Sequence, residues 1–193
     1  ISGHGGNDLI RAGDGNDMVF VTALEGSDRI HGGSGADFLN LNRTMSTIDL
    51  RIDITQGGKG LNIGDLTQIW SIERLSFAGG GGNDTVHGGT LKDVLEGGDG
   101  GDVLIGNGGG DLLHGQGGDD DIVSQGEGGD VSGGDGRDKL TLDRSLSSIA
   151  IDLDMTSAPG SATLADGTVV YLDFEKLVFS GGSAGDTVTG ARG

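Results

Sequence analysis

Ten aspartates recur at one place in a glycine-rich unit of nine residues: Asp8, Asp17, Asp28, Asp37, Asp84, Asp93, Asp102, Asp111, Asp120 and Asp138. The unit reads G-G-x-G-x-D-x-U-x, where U is large and apolar. Its clearest run is GGGGNDTVH (79–87), GGTLKDVLE (88–96), GGDGGDVLI (97–105), GNGGGDLLH (106–114) and GQGGDDDIV (115–123). An upstream run holds GHGGNDLIR (3–11), AGDGNDMVF (12–20), a looser ALEGSDRIH (23–31) and GGSGADFLN (32–40). The donors such a loop offers at regular places are carboxylates and backbone carbonyls. A hard cation that takes six to eight oxygens in a flexible shell fits this donor set, which points to Ca²⁺. Glycines at the first, second and fourth places are expected to take positive φ and turn their carbonyls toward one point. Of the 30 acidic residues only five are Glu, as a tight loop needing the shorter arm would favour.

Two residues after each aspartate stands the apolar U: Ile10, Val19, Ile30, Leu39, Val86, Leu95, Leu104, Leu113, Ile122 and Leu140. An i, i+2 relation describes a very short strand with U turned inward. A fixed nine-residue period means one small unit stacked on copies of itself. A longer period overlies it. Residues 41–80 match 142–182, and each copy opens on an alternating run: Ile48, Leu50, Ile52, Ile54, then Ile149, Ile151, Leu153, Met155. Each closes on a second strand, with Ile72, Leu75 and Phe77 answering Phe174, Leu177 and Phe179. Turn-rich connections, GGKGLNIGD and APGSATLADG, lie between. The expected organisation is roll repeats over 1–40, a β insert over 41–78, roll repeats over 79–141, a second insert over 142–180, and a further repeat begun at 181–193. The inserts read as wider turns of the same solenoid.

The nonapeptide resembles the RTX (repeats-in-toxin) hemolysin-type family, whose glycine-rich repeat builds a Ca²⁺-binding parallel β-helix. About eleven copies in register carry the likeness. The resemblance implies an all-β fold, a right-handed parallel β-roll or β-helix solenoid with two nonapeptides per turn. It also implies a calcium ion between each loop and the loop two repeats on. Carbonyls two and four and Asp six of one loop would meet carbonyls one and three and Asp six of the other. Gly98, Gly100 and Asp102 would then share an ion with Gly115, Gly117 and Asp120; Gly13, Gly15 and Asp17 would meet Gly32, Ser34 and Asp37. Carried along the chain, the implied ligand positions also include Gly6, Asp8, Asp28, Gly80, Gly82, Asp84, Gly89, Asp93, Gly97 and Asp99. Further on they include Gly106, Asn107, Gly108, Gly109, Asp111, Gln116, Gly118, Asp130, Gly133, Asp135, Asp138 and Asp186. Several ions, about seven or more, are implied. Some loops depart from the pattern. Leu91 replaces the fourth glycine and Lys92 adjoins Asp93, which should weaken that loop. Leu24 and Glu25 distort the third repeat. In SQGEGGDVS (124–132) the register slips, with Asp130 as the aspartate, Ser132 in the core place and an irregular turn expected.

Composition points the same way. Forty-three glycines, one proline, 4% aromatics and a net charge of −18 would normally mean disorder. Two carboxylates about 5 Å apart repel by roughly 3 kcal/mol at an effective dielectric of 20, and a bound cation reverses that. The chain has no cysteine, hence neither disulfides nor zinc–thiolate sites, and no apolar run long enough to span a bilayer. It opens at Ile1 in mid-repeat without a signal peptide and ends in mid-repeat, so it reads as part of a longer protein. Family resemblance implies a secreted or cell-surface protein that uses type I secretion machinery; no nucleic acid is expected among its partners. No G-x-S-x-G, no H-E-x-x-H and no basic cleft supports catalysis, so the chain itself is read as non-enzymatic. His4, His31, His87 and His114 read as surface residues, and Asp119 and Asp121 as solvated charge. Trp70 and Tyr171 read as packing, with sugar stacking the rival. The apolar seventh-place residues Met18, Phe38, Val94 and Leu112 form a candidate contact stripe. The function expected is a calcium-binding scaffold module that folds outside the cell. Its rivals are an accessory polysaccharide-binding or chaperone-like module of an exoenzyme (protease, lipase or alginate epimerase), or an adhesin segment.

Overall fold

The computed structural model describes residues 1–22, 26–56, 61–62, 64–154, 156, 161–171 and 173–189. Among these it is almost wholly short strands, with one 3₁₀ turn at Ile54–Gln56. Two nonapeptides make one turn. Thr85–His87, Val103–Ile105, Asp121–Gln125 and Lys139–Asp143 lie side by side in parallel, each residue beside the one eighteen further on. The intervening strands Val94–Asp99, Leu112–Gly117 and Asp130–Asp135 stack at the same offset on the other face. Upstream the turn takes twenty residues, with Leu9 beside Arg29 and Met18 beside Phe38. This is a parallel β-roll. The reading that Leu24 and Glu25 distort the third repeat falls outside the described residues.

All ten U residues point between the two faces and are at most 6% exposed. Each fully buried aliphatic side chain contributes roughly 1.5–3 kcal/mol, so the core is two facing files of modest contributions. The loops turn the chain from face to face at both edges. Gly98, Gly100, Gly118, Gly134 and Gly136, at second and fourth places, have positive φ, as expected. First-place glycines do not, nor do Gly80, Gly82 and Gly89 at second and fourth places, and the expectation for them is corrected. A Cβ at Gly97 or Gly115 would run into the carboxylate of its own repeat, Asp102 or Asp120. Space, not φ, demands glycine there.

At 124–132 the turn is irregular, as expected, with positive φ at Gly126, Gly128 and Gly129, but the core place expected of Ser132 is corrected. Asp130 lies beside Leu112, Val131 beside Leu113 and Ser132 beside His114, and the pairing resumes at Gly134 and Asp135. Val131 is the core residue at 1% exposure, while Ser132 donates from its hydroxyl to Asp173 at 2.6 Å. Gly129 thereby takes the sixth place and Asp130 moves to the seventh. Burying valine rather than serine fixes the register.

Each insert is one wide turn. Phe38 lies beside Arg74, 36 residues on, and Lys139 beside Lys176, 37 residues on. Between these positions the first insert sends Arg51–Asp53 down onto Thr85–His87 and Gln68–Trp70 up onto Arg29–Ser34. Its turn-rich connection forms an antiparallel hairpin with Leu61–Asn62, and the second insert forms Ser161–Thr163 against Val169–Tyr171. The strand expected over Ile48–Ile54 is shorter, Arg51–Asp53. Leu50 and Ile52 are buried but Ile48 is half exposed, because residues 43–50 serve as a loop: a Cβ on Gly82 would meet the Ile48 carbonyl. In the second insert the strand is Asp152–Asp154, with Ile151 and Leu153 buried, and Met155 falls outside the described residues.

Candidate metal centre

The sixth-place aspartates form columns along both edges of the roll. On one edge the backbone N–H of Asp84 donates to Asp102 Oδ1 at 2.7 Å, that of Asp102 to Asp120 Oδ1 at 2.8 Å, and that of Asp120 to Asp138 Oδ1 at 2.9 Å. Upstream, Asp17 donates likewise to Asp37 Oδ1 and Asp8 to Asp28 Oδ1. One carboxylate oxygen of each acceptor is thus committed to holding two turns in register. The other is not. Oδ2 of Asp8, Asp17, Asp37, Asp84, Asp102, Asp120 and Asp138 is buried and has no hydrogen-bond partner. A buried, unpartnered carboxylate oxygen is costly, so a partner is called for.

Around these atoms the backbone supplies more oxygen. At Gly97 the position of a Cβ lies 2.8 Å from Gly115 O and against Asp102 Oδ2; at Gly115 it lies 2.5 Å from Gly133 O and against Asp120 Oδ2. Second- and fourth-place carbonyls point along the axis into the next loop: those of Gly80, Gly82, Gly100, Gln116 and Gly118 abut Gly98, Gly100, Gly118, Gly134 and Gly136, and those of Gly6, Gly13 and Gly15 abut Gly26, Gly33 and Gly35. The loops holding Gly98, Gly100 and Asp102 and holding Gly115, Gly117 and Asp120 lie on adjacent turns, with Gly100 N–H donating to Gly117 O at 2.7 Å. Gly13, Gly15 and Asp17 are likewise apposed to Gly32, Ser34 and Asp37 through Gly15 N–H and Ser34 O. Among the described residues no three His, Cys, Asp or Glu side chains form a metal cluster. The donor set is carboxylate plus carbonyl, which fits calcium and not a zinc-type site.

The other edge, to which Asp17 and Asp37 belong, differs in its downstream half. Both oxygens of Asp93 are taken, Oδ1 by Leu75 N–H and Oδ2 by Gly89 N–H, each at 2.6 Å. Asp111 Oδ1 accepts from Asp93 N–H, and no carboxylate follows, since Gly129 holds the next place. Asn107 has positive φ and donates its amide to Gly88 O, and Gly106 abuts Asp111. Gly108 and Gly109 both have positive φ. Asp99 and Asp135 are exposed third-place residues. Asp130 is the seventh-place residue and is not brought into a loop. Asp186 Oδ1 accepts from Ile151 N–H at 2.9 Å. Changing Asp120 to Asn should therefore lower bound calcium, whereas Asp130→Asn should leave the count unchanged. Equal losses by equilibrium dialysis would overturn this assignment.

Burial pushes the carboxyls of Asp84, Asp93 and Asp102 up to about 6 and those of Asp111 and Asp120 to about 7, against their backbone hydrogen bonds. Burial also raises Asp138, with Glu175 and Asp173 adding to the rise.

Sequence reasoning missed several residues in the inserts. Glu73 Oε2 accepts from Asp37 N–H at 2.8 Å and Glu175 Oε2 from Asp138 N–H at 2.6 Å, standing where the next aspartate would. Thr67 does so for Asp28. Arg43 and Arg144 are almost wholly buried and paired to Asp65 and Asp166. Their signal was recurrence at matching places in the two inserts. Of the histidines, His31 stacks on Trp70 with ring centres 6.5 Å apart. Asp119 Oδ1 accepts from Arg137 N–H, and Asp121 pairs with Lys139. Met18 lies beside Phe38 and Val94 beside Leu112, but the two pairs are separate, since Phe38 adjoins Arg74 and Val94 adjoins Ser76.

The family model of the RTX calcium-binding nonapeptide repeat (four copies) matches residues 1–23, 20–43, 76–95, 87–122 and 96–131, together just over half of the chain. The chain belongs to this family of calcium-binding repeats. No curated protein and no solved structure matches it. No helix among the described residues is long and apolar enough to cross a membrane.

Proposed function

We propose that this chain is a scaffold module of a secreted protein, folding as calcium fills its loops outside the cell and carrying no catalysis of its own. The observation that supports this reading most is the line of buried, unpartnered Oδ2 atoms at Asp84, Asp102, Asp120 and Asp138. The ions would lie between successive turns, about seven or more in all, held by the carboxylates and the loop carbonyls that face them. The roll and insert segments (1–40, 41–78, 79–141, 142–180 and 181–193) act as one solenoid. Its partners are calcium, the rest of the parent protein and type I secretion machinery.

Charge supports the direction of action. At −18 the metal-free chain repels itself and stays expanded, a form suited to a narrow export channel. Extracellular calcium modules bind at about 10⁻⁴–10⁻³ M, far above free calcium inside a cell. Each ion would join two loops and order the turn that builds the next, so folding should be steep in calcium. Small-angle scattering across a calcium titration tests this. A sharp compaction near millimolar calcium is expected; a chain already compact at sub-micromolar calcium, or a shallow curve, would overturn it.

A further inference from the structure

We infer that the first insert completes an additional cation site, at its junction with the roll, from residues that lie outside any nonapeptide. The site joins the loop Gly32–Asp37 to the insert turn Ser71–Glu73. In the roll, each complete cradle has a recognisable arrangement. A Cβ on the first-place glycine would meet two oxygens, Oδ2 of its own aspartate and the first-place carbonyl of the next turn, as at Gly79, Gly97 and Gly115. Gly32 repeats this arrangement. Its Cβ position lies 2.5 Å from Asp37 Oδ2 and against a backbone carbonyl, but the carbonyl is that of Ser71.

Register explains the substitution. His31 lies beside Trp70, so Ser71 stands at the place of Gly32 on the next turn, and Phe38 lies beside Arg74, so Glu73 stands at the place of Asp37. Three residues, Ser71, Ile72 and Glu73, thus span what six residues span in a nonapeptide loop. Ser71 is held at φ 49°, a left-handed backbone that a non-glycine residue rarely adopts, and its carbonyl faces Gly32. Ile72 is buried and anchors the turn. In so short a turn a longer acid is needed to reach the axis, and Glu73 supplies it: Oε2 accepts from Asp37 N–H as Asp102 Oδ1 does from Asp84 N–H. Asp37 itself is 0% exposed, and its Oδ2 has no partner. Two carboxylates and one carbonyl therefore converge at a junction that the repeat pattern leaves without a second loop. A divalent, oxygen-preferring cation of the calcium type fits them.

The lower side of the same insert gives a contrast. There the sixth place is held by Leu50, whose N–H donates to Asp84 Oδ1 but whose side chain offers no oxygen. The insert therefore receives an ion from the turn before it, while against the turn after it Leu50 offers no acid on one edge and both oxygens of Asp93 are taken on the other.

This inference rests on the calcium-binding reading above, and its test separates the two. Native mass spectrometry and calcium titration calorimetry are applied to the whole chain, to Glu73→Gln and to Asp102→Asn. Glutamine keeps an oxygen to accept from Asp37 N–H, so the turn is preserved while its charge is lost. Glu73→Gln is expected to remove one ion at intermediate calcium, with the remaining sites titrating as before. Glu73→Asp, whose arm is too short, should lose the same ion. An unchanged count and unchanged affinities in Glu73→Gln, beside a loss in Asp102→Asn, would overturn the junction site and leave the repeat sites standing. No calcium bound by the whole chain would overturn the underlying reading, and the junction site with it.

Discussion

Stripped of calcium by a chelator at pH 7, the chain should lose its β spectrum in far-ultraviolet circular dichroism, and acidification should restore part of it. The sign follows from the buried aspartates. Burial raises the carboxyls of Asp84, Asp93 and Asp102 from 3.8 to about 6 and those of Asp111 and Asp120 to about 7. The metal-free folded chain therefore binds more protons than the unfolded chain between these values. The contribution of these carboxyls to stability is fully present below about pH 4 and is lost as pH rises through 6 to 7. Loss of the −18 charge on acidification acts in the same direction. Calcium at neutral pH replaces those protons, so binding should release protons to the buffer, more of them at pH 6 than at pH 8. Magnesium should not substitute, since it prefers six short, near-octahedral bonds. A chelated chain that keeps its β spectrum at pH 7, or that unfolds further on acidification, would contradict the account.

Replacing Arg144 with Met should be among the most damaging single changes in the calcium-loaded chain. The guanidinium donates to Asp166 Oδ2 at 2.6 Å, to Ser124 O at 3.0 Å and to Thr168 Oγ1 at 2.9 Å. The side chains of Arg144 and Asp166 are 1% and 0% exposed. Removing the cation leaves Asp166 charged and buried, which costs about 3–5 kcal/mol. At two to four degrees per kcal/mol for a chain of this size, melting should fall by roughly 10 °C. Arg43→Met should cost less, because Asp65 keeps 14% of its side-chain surface. The double change Arg144→Met, Asp166→Asn should recover part of the loss by removing the stranded charge. Thermal unfolding in saturating calcium measures all three; equal, small shifts would show that these pairs only decorate the inserts.

Much of the roll was legible because its period is short and each place has one physical task. An apolar residue every nine positions, two after an aspartate, left one inward direction for the side chain, and Val86, Leu104, Ile122 and Leu140 form that file. At 124–132 motif spacing and burial conflict: Asp130 looks like the loop acid, yet Val131 must enter the core. The alternating run from Ile48 was read as one strand, because alternation does not distinguish a strand from a loop that leads into it. Glu73, Glu175, Arg43 and Arg144 were missed for another reason. Their partners are set by wide-turn register, and nothing in the nine-residue period announces it.

The two inserts differ in phase. The first is bedded in the face that carries Phe38–Asn42 and Arg74–Ala78, the second in the face that carries Lys139–Asp143 and Lys176–Ser180. An odd number of half-turns separates them, so the same structural unit is presented once on each side of the ribbon. Their tips are equivalent: Met45, 79% exposed, and Leu146, 100% exposed, follow matching buried arginines. Adding or removing a single nonapeptide would therefore invert the handed placement of everything downstream. A pair would only slide it along the axis by one strand spacing, about 4.8 Å. The quantum of length that such a ribbon can gain without turning its decorations around is eighteen residues, although its motif is nine.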